Sequence, residues 1–367
     1  GTIMGIAVFG IALGLAVSSI MIGCLFGSLF AGSLSDKYGR RSMMVITAVL
    51  FLISAIGCSL TSSFWLFVAS RIIGGLAVGA ASVLSPTYIS EISPAGKRGT
   101  LVTYNQMAIV TGILLAYFID YALVGTENGW RMMLAVPIVF SLIFLILLHV
   151  SFPESPRWLV KVGRSDKAKS ILEKIGGTSY AEAELQSIKA TRTEAKADSA
   201  VHVKDLFKGR VGYVVLLGTL LAAFQQITGI NAVVNYAPTI FQKTGVGVDT
   251  SLLQSIIVGI VNFLFTIVAI RLVDRSGRKT LLTWGAAGMT IALTYLSIAF
   301  NASGLGVLIS LLAYIAFFAA SLAPVMWVVT SEIYPTRIRG VAMSFSTAIS
   351  WIFTLIVVQF FPWMLSN

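Results

Sequence analysis

The chain reads as an all-α, polytopic membrane helix bundle made of two pseudo-symmetric halves. Three observations predict it. Apolar residues make up 57% of the sequence and charged residues 11%, whereas soluble domains run at about 45–50% and about 25%. Runs of about 20 apolar residues, each long enough to cross a hydrocarbon core of about 30 Å, recur along the whole length. A pair of charged motifs also occurs twice in one order. LSDKYGRRSMM, around Asp36–Arg41, precedes PTYISEISPAGKRG at 86–99; LVDRSGRKTLL, around Asp274–Lys279, precedes SEIYPTRIRG at 331–340. Asp36 and Asp274, like Glu91 and Glu332, lie about 240 residues apart, so the repeat is a duplicated unit, and many carriers are built from duplicated membrane bundles.

Ten spans follow in order. The first five, at 8–33, 42–61, 64–85, 101–123 and 131–152, form an N-terminal half over 1–152. The other five, at 211–236, 251–272, 280–300, 304–330 and 341–364, form a C-terminal half over 211–367. Small residues at four-residue spacing, Gly10/Gly14, Gly23/Gly27 and Gly75/Gly79, signal close helix approach in lipid. The 153–210 stretch is the long polar segment between the halves, and its patterning is helical. Ser165-Asp166 reads as an N-terminal cap ahead of Ala168, Ile171, Leu172 and Ile175 on one face. A second helix is expected from Tyr180 to about Ala197, with Leu185 and Ile188 turned inward.

A net charge of +11 suggests a nucleic-acid partner only until its placement is considered. All of the 26 Lys and Arg except Arg71, Arg131 and Lys243 fall in alternate connections. That alternation is the positive-inside pattern, so the charged connections and the linker are expected in the cytoplasm of a multi-pass cell-membrane protein, with no nucleic acid bound. By the same reading both ends of the sequence lie outside, and one further span at each end would complete a twelve-span protein. Cys24 and Cys58 sit within spans, His149 and His202 are isolated, and no metal-type spacing occurs. Neither a metal, a cofactor nor an enzymatic reaction is expected.

The densest intramembrane polarity is FQQITGINAVVNYAPTIF at 224–241. An unpaired polar group in hydrocarbon costs several kcal/mol, so these amides must face a neighbour or a wet cavity. Read as one helix at about 100° per residue, Gln225, Asn231 and Asn235 share a face, while Gly229 and Pro238 weaken that helix in the manner of interrupted carrier helices. Gln106, Asn262, Trp327 and Trp351 add further neutral donors, acceptors and flat aromatic faces, a set suited to a neutral polyol. The alternative role for each amide is to join helices. Arg71 carries a charge at membrane depth, which is costly and usually functional; Asp120 is the acidic residue nearest its level.

DKYGRR and DRSGRK leave room only for tight turns, with Gly39 and Gly277 permitting the bend. Arg40, Arg41, Arg275 and Arg278 are then placed to meet Glu91 and Glu332 and to form an ion-pair gate.

With these residues assembled, the chain resembles the sugar porter family of the major facilitator superfamily. The resemblance rests on Gly39-Arg40-Arg41, the 86–99 motif, PESPRWL at 153–159, QQxxGxN at 225–231 and the DRSGRK block. It implies twelve helices with about ten present here, a central sugar site and alternating access. It implies Gln106, Gln225, Gln226, Asn231, Asn262, Trp327 and Trp351 as sugar ligands. Asn235-Tyr236 stands where the family pairs tyrosines, Ala323 stands for a glycine, and Thr354 replaces an amide ligand, so Tyr236 and Thr354 join the expected site. The matched motifs extend the gating set to Asp36, Arg98, Glu154, Arg157, Asp274 and Arg339. Arg71 matches the arginine that family symporters pair with an aspartate. The expectation is a monomeric carrier that takes a hexose or pentose, with proton symport ahead of facilitated uniport. A non-transporting sensor and a carrier for another solute remain the alternatives.

Overall fold

The computed structural model describes the backbone of residues 2–94, 98–197, 209–245, 247–273, 276–299, 304–334 and 339–366. Within those stretches the side chains of 2–13, 98–100, 102–103, 191–197, 210, 331, 339–340 and 365–366 are left undescribed. The first half comprises α1 (Thr2–Tyr38), α2 (Arg40–Leu60), α3 (Phe64–Ile92), α4 (Arg98–Leu123) and α5 (Gly129–Val150). Three shorter helices follow: α6 (Pro156–Lys161), α7 (Ser165–Gly176) and α8 (Thr178–Ala197). The second half comprises α9 (Gly209–Ile227), α10 (Ile230–Lys243), α11 (Val248–Leu272), α12 (Arg278–Ala299), α13 (Gly304–Ala320), α14 (Leu322–Ile333) and α15 (Arg339–Ser366). Among the described residues, ten stretches of helix are long and apolar enough to cross a membrane, in the order expected from the sequence.

The duplication reappears as packing. The repeated motifs equate α1 with α11, α2 with α12, α3 with α13–α14, and α4 with α15. Accordingly α1 and α2 both pack on α3, and α11 and α12 both pack on α13. Between the halves α1 packs on α15 and α11 on α4, one contact made twice with the roles exchanged. Glycines set the closest approach. A Cβ on Gly23 or Gly27 would strike backbone of α3 at Ile72 or Leu76, and one on Gly75 or Gly79 would strike α1 at Ile20 or Cys24. Two of the four-residue glycine pairs are therefore facing halves of one seam. Gly14 meets Gln359 of α15 instead.

The helices outrun the apolar spans at the basic end. α1 continues to Tyr38 and α3 to Ile92, so Asp36 and Glu91 ride on helix ends rather than in loops. Only Gly39 separates α1 from α2, at φ 97, and Gly277 precedes α12 at φ 78. Both lie in the left-handed region that glycine enters without strain.

Two breaks correct the reading of single helices. Thr228 and Gly229, the latter at φ 88, separate α9 from α10, so Gln225 and Asn231 stand on different helices and their shared face does not exist. Pro238 leaves α10 intact. The second break, at Ser321, divides the 304–330 span into α13 and α14. Pro324 explains it: a proline has no N–H for the carbonyl four residues back, here Ala320, and its ring crowds that carbonyl.

The linker helices form a small core of their own from Leu159, Val160, Ala168, Leu172, Ala181 and Ile188. The N-cap lies one residue earlier than expected: Arg164 holds that position in α7, with no side-chain cap, and Ser165 is already helical. Ser155 caps α6 through Trp158 N. Ile175 is exposed rather than inward.

Candidate functional site

The polar groups expected in a cavity sit on helices that close a ring. α4 carries Gln106, α9 carries Gln225 and Gln226, α10 carries Asn231, α11 carries Asn262, α14 carries Trp327 and α15 carries Trp351. α4 packs on α11 and α14, α14 on α9, α9 on α15, α15 on α10, and α10 on α11. α4 belongs to the first half and the others to the second, so the ring straddles the boundary between them.

Three amides within the ring form one hydrogen-bonded chain. Asn231 Nδ2 donates to Gln226 Oε1 at 2.5 Å, and Gln226 Nε2 donates to Ser350 Oγ at 3.0 Å and to Gln225 Oε1 at 3.4 Å. Gln225 Nε2 donates onward to the Leu322 carbonyl at 3.1 Å. The chain ties both sides of the α9–α10 break to α14 and α15. Tyr314 fixes the break from outside, donating to the Thr228 carbonyl at 2.9 Å. Neither Tyr314 nor Ser350 was singled out by the sequence; their polar atoms differ in no local pattern from ordinary helix residues.

Other members of the ring are uncommitted. Asn262 is buried (7% exposed), yet only its carbonyl on the backbone is engaged, by Thr266 Oγ1 at 2.7 Å. Its amide makes no hydrogen bond to a described residue, and neither does that of half-buried Gln106. The indole N–H of Trp351 is sealed from solvent without an acceptor. Trp327 is half-buried beside them. The unpaired Trp351 donor is costly as it stands, and the amides of Asn262 and Gln106 keep capacity that suits a hydroxyl-bearing ligand.

Two expected ligands are engaged elsewhere. Tyr236 donates to the Val358 carbonyl at 3.3 Å and stacks on Phe361 at 5.4 Å. Val358 is the residue whose helical partner Pro362 cannot supply, so this hydroxyl repairs α15. Tyr117 does the same for α10 from the other half, donating at 2.8 Å to the Val234 carbonyl that Pro238 leaves free. Thr354 is 1% exposed and its hydroxyl donates to Ser350 O on its own helix at 2.9 Å. Asn235 is exposed and bonds back to Asn231 O at 2.7 Å.

Arg71 spans α3 to α1. Its Nε and Nη2 donate to the carbonyls of Ala16 at 3.2 Å and Val17 at 3.0 Å. No described carboxylate pairs with it, Asp120 included.

At the basic end, Arg40 lays two nitrogens against Glu91, at 3.0 and 2.9 Å, and a third at 2.8 Å from Asp36. Ser155 donates to the same Glu91. Glu154 caps the start of α2, accepting from Arg40 N at 2.8 Å, Arg41 N at 3.1 Å and Ser155 N at 2.9 Å. That is where a carboxylate best complements a helix dipole. The second half repeats the central pair, with Arg278 Nη2 2.9 Å from Glu332. Three expectations change here. The Arg41 side chain pairs with no acid among the described residues; it caps the end of α5 through the carbonyls of Leu148 and His149, each at 3.1 Å. Arg157 has a buried Nε with no acceptor. The described ion pairs join helices within one half, bind α6 to the first half or join α7 to α8; none crosses between halves. Asp274 and Arg275 lie outside the described residues, as do the side chains of Arg98 and Arg339.

Ten spanning helices in two exchanged halves, with uncommitted amides ringed between them, define a multi-pass membrane carrier. A family profile described as "Sugar (and other) transporter" matches residues 10–367. The chain is 41% identical over 363 residues to the D-xylose-proton symporter of Escherichia coli (strain K12), covering 92% of this chain and 73% of that one. It is 38% identical to the arabinose-proton symporter of Bacillus subtilis (92% and 74% covered). It is 39% identical to the glucose facilitated diffusion protein of Zymomonas mobilis (89% and 72%). Among solved structures, a proton:xylose symporter of the major facilitator superfamily bound to 6-bromo-6-deoxy-D-glucose superposes with a TM-score of 0.86 at 40% identity, over 97% of this chain and 79% of that one. A partially occluded inward-open xylose transporter from E. coli gives 0.85 at 39%, over 97% and 81%. The chain belongs to the sugar transporter family, with the major facilitator fold.

Proposed function

We propose that this carrier moves a monosaccharide, a pentose or hexose, across the membrane by alternating access and in symport with protons. The observation that carries the reading is the ring: Gln106, Asn262 and Trp351 hold unspent hydrogen-bonding capacity beside the Gln225–Gln226–Asn231 chain. No charged side chain belongs to that set, which suits a neutral hydroxylated ligand. Relatives named for xylose, arabinose and glucose support the substrate class, and the two named proton symporters support coupling. Arg71 is the charged group at membrane depth for that role. The basic end is cytoplasmic by the positive-inside rule. There the Arg40–Glu91 and Arg278–Glu332 pairs, with Asp36 and Glu154, brace each half so that it rocks as a body.

The test is a ligand-induced stability shift of the full-length protein with D-xylose, D-glucose, L-arabinose and L-glucose at equal concentration. A ligand at ten times its dissociation constant stabilises by about 1.4 kcal/mol. A stereoselective shift is expected, and its absence for every sugar overturns the substrate class. Coupling is tested apart: sugar added to proteoliposomes alkalinises the outside under symport and leaves pH unchanged under uniport.

A further inference from the structure

A cavity lies at the basic end, where α2, the Pro153–Trp158 segment and α7 meet. Its volume is about 330 Å³, within the range of about 300–1,000 Å³ usual for small-molecule sites. Arg41 of α2 and Arg164 and Lys167 from the start of α7 line it, with Trp158 and Ile171 as apolar wall. One carboxylate, Glu154, also lines it, but its two oxygens already accept four hydrogen bonds from the backbone N–H groups of Arg40, Arg41 and Ser155. Arg164 and Lys167 make no ion pair with a described residue. Arg41 is held by the Leu148 and His149 carbonyls through Nε and Nη2, which leaves Nη1 without a partner among the described residues. The Trp158 wall is fixed in turn, its indole donating to the Asp36 carbonyl at 3.2 Å.

We propose that this cavity binds a phosphate group. Three cations facing a single, already satisfied carboxylate leave an excess of positive charge. An immobilised guanidinium suits a tetrahedral oxyanion better than a solvated lysine does. The indole and Ile171 would cover whatever apolar body the phosphate carries. Two sources share this chemistry: the headgroup of a membrane phospholipid and a soluble phosphorylated metabolite. Either would cross-link α2 to α7 at the turn that also holds Asp36 and Arg40, and so act on the brace rather than on the ring. The binding claim stands apart from the sugar reading.

Thermal stability of the full-length protein in a neutral detergent, titrated at constant ionic strength, tests it. The probes are inorganic phosphate and glycerol 3-phosphate in one arm and short-chain phosphatidic acid in the other, with chloride as the screening control. The comparison is with the double variant Arg164→Gln/Lys167→Gln, whose exposed side chains hold no other described contact. A saturable rise with a phosphate probe, absent with chloride, is expected, with its midpoint moved at least tenfold higher in the variant. A response confined to the soluble arm assigns a metabolite, and one confined to the lipid arm assigns a headgroup. No saturable shift in either arm, or an equal midpoint in the variant, overturns the proposal.

Discussion

Gln226 and Asn262 make opposite demands on the same ring, and that difference separates a ligand contact from a scaffold contact. Gln226 gives and receives hydrogen bonds with Gln225, Asn231 and Ser350. Cutting it to alanine leaves polar atoms unpaired on buried Gln225 and Ser350 and half-buried Asn231, each costing about 1–3 kcal/mol where no water replaces the bond. Gln226→Ala should therefore lower the Tm of the sugar-free protein and weaken sugar binding together. Asn262 spends none of its amide on a described residue. Asn262→Ala should weaken sugar binding by about 1 kcal/mol or more, roughly fivefold, while costing the sugar-free protein much less than Gln226→Ala does. Parallel Tm and affinity titrations check both. An Asn262→Ala protein that keeps wild-type affinity for every sugar would remove that residue from the site. The sequence could show that both residues are amides at membrane depth. It could not show which amide is already satisfied, because Ser350 lies over a hundred residues away from its partner.

At the scale of elements, the prolines decide which helices continue. Pro324 breaks the 304–330 span, whereas Pro238 and Pro362 remain inside α10 and α15. In α10 and α15 a tyrosine from another helix takes up the carbonyl that the proline frees. Tyr117 repairs Val234 and Tyr236 repairs Val358. Tyr117→Phe should destabilise the protein by about 1–3 kcal/mol by leaving a buried carbonyl unpaired. In a Pro238→Ala background the backbone regains the missing N–H, so the same change should cost measurably less. A double-mutant cycle of unfolding reads the coupling directly; a coupling of zero would mean that the tyrosine does not serve the proline. This level was only partly legible beforehand. Span count, duplication and the α1–α3 glycine seam could be read because they depend on composition and spacing. The face shared by Gln225 and Asn231 was misread because a left-handed Gly229 ends α9 between them. Tyr236 was read as a ligand because its acceptor lies on α15, beyond the reach of any local pattern.

For the whole molecule, the described Arg–Glu pairs of the two halves differ in exposure at the basic end, and the difference has a measurable consequence. In the first half Arg40 and Glu91 are each about 10% exposed, doubly hydrogen-bonded, and joined by Asp36 and Ser155. In the second half Arg278 and Glu332 are 32% and 52% exposed, an environment where an ion pair is worth about 0–1 kcal/mol and is screened by salt. Removing one partner of the enclosed pair strands the other, which costs far more than the pair's own attraction; Asp36 relieves part of that cost. Glu91→Gln should therefore move the inward/outward equilibrium substantially, and Glu332→Gln only slightly. The Glu332 effect should also fade in high salt while the Glu91 effect persists. Cysteines placed at the inner ends of α4 and α15 and labelled with and without sugar report the equilibrium. Because the described pairs lie within halves, each braces one body rather than locking two together. Glu91→Gln should accordingly lower unfolding stability along with the equilibrium shift, whereas loss of a lock between halves would change accessibility alone. Equal shifts for the two variants, or an accessibility change with stability intact, would return the gate to the contact between halves.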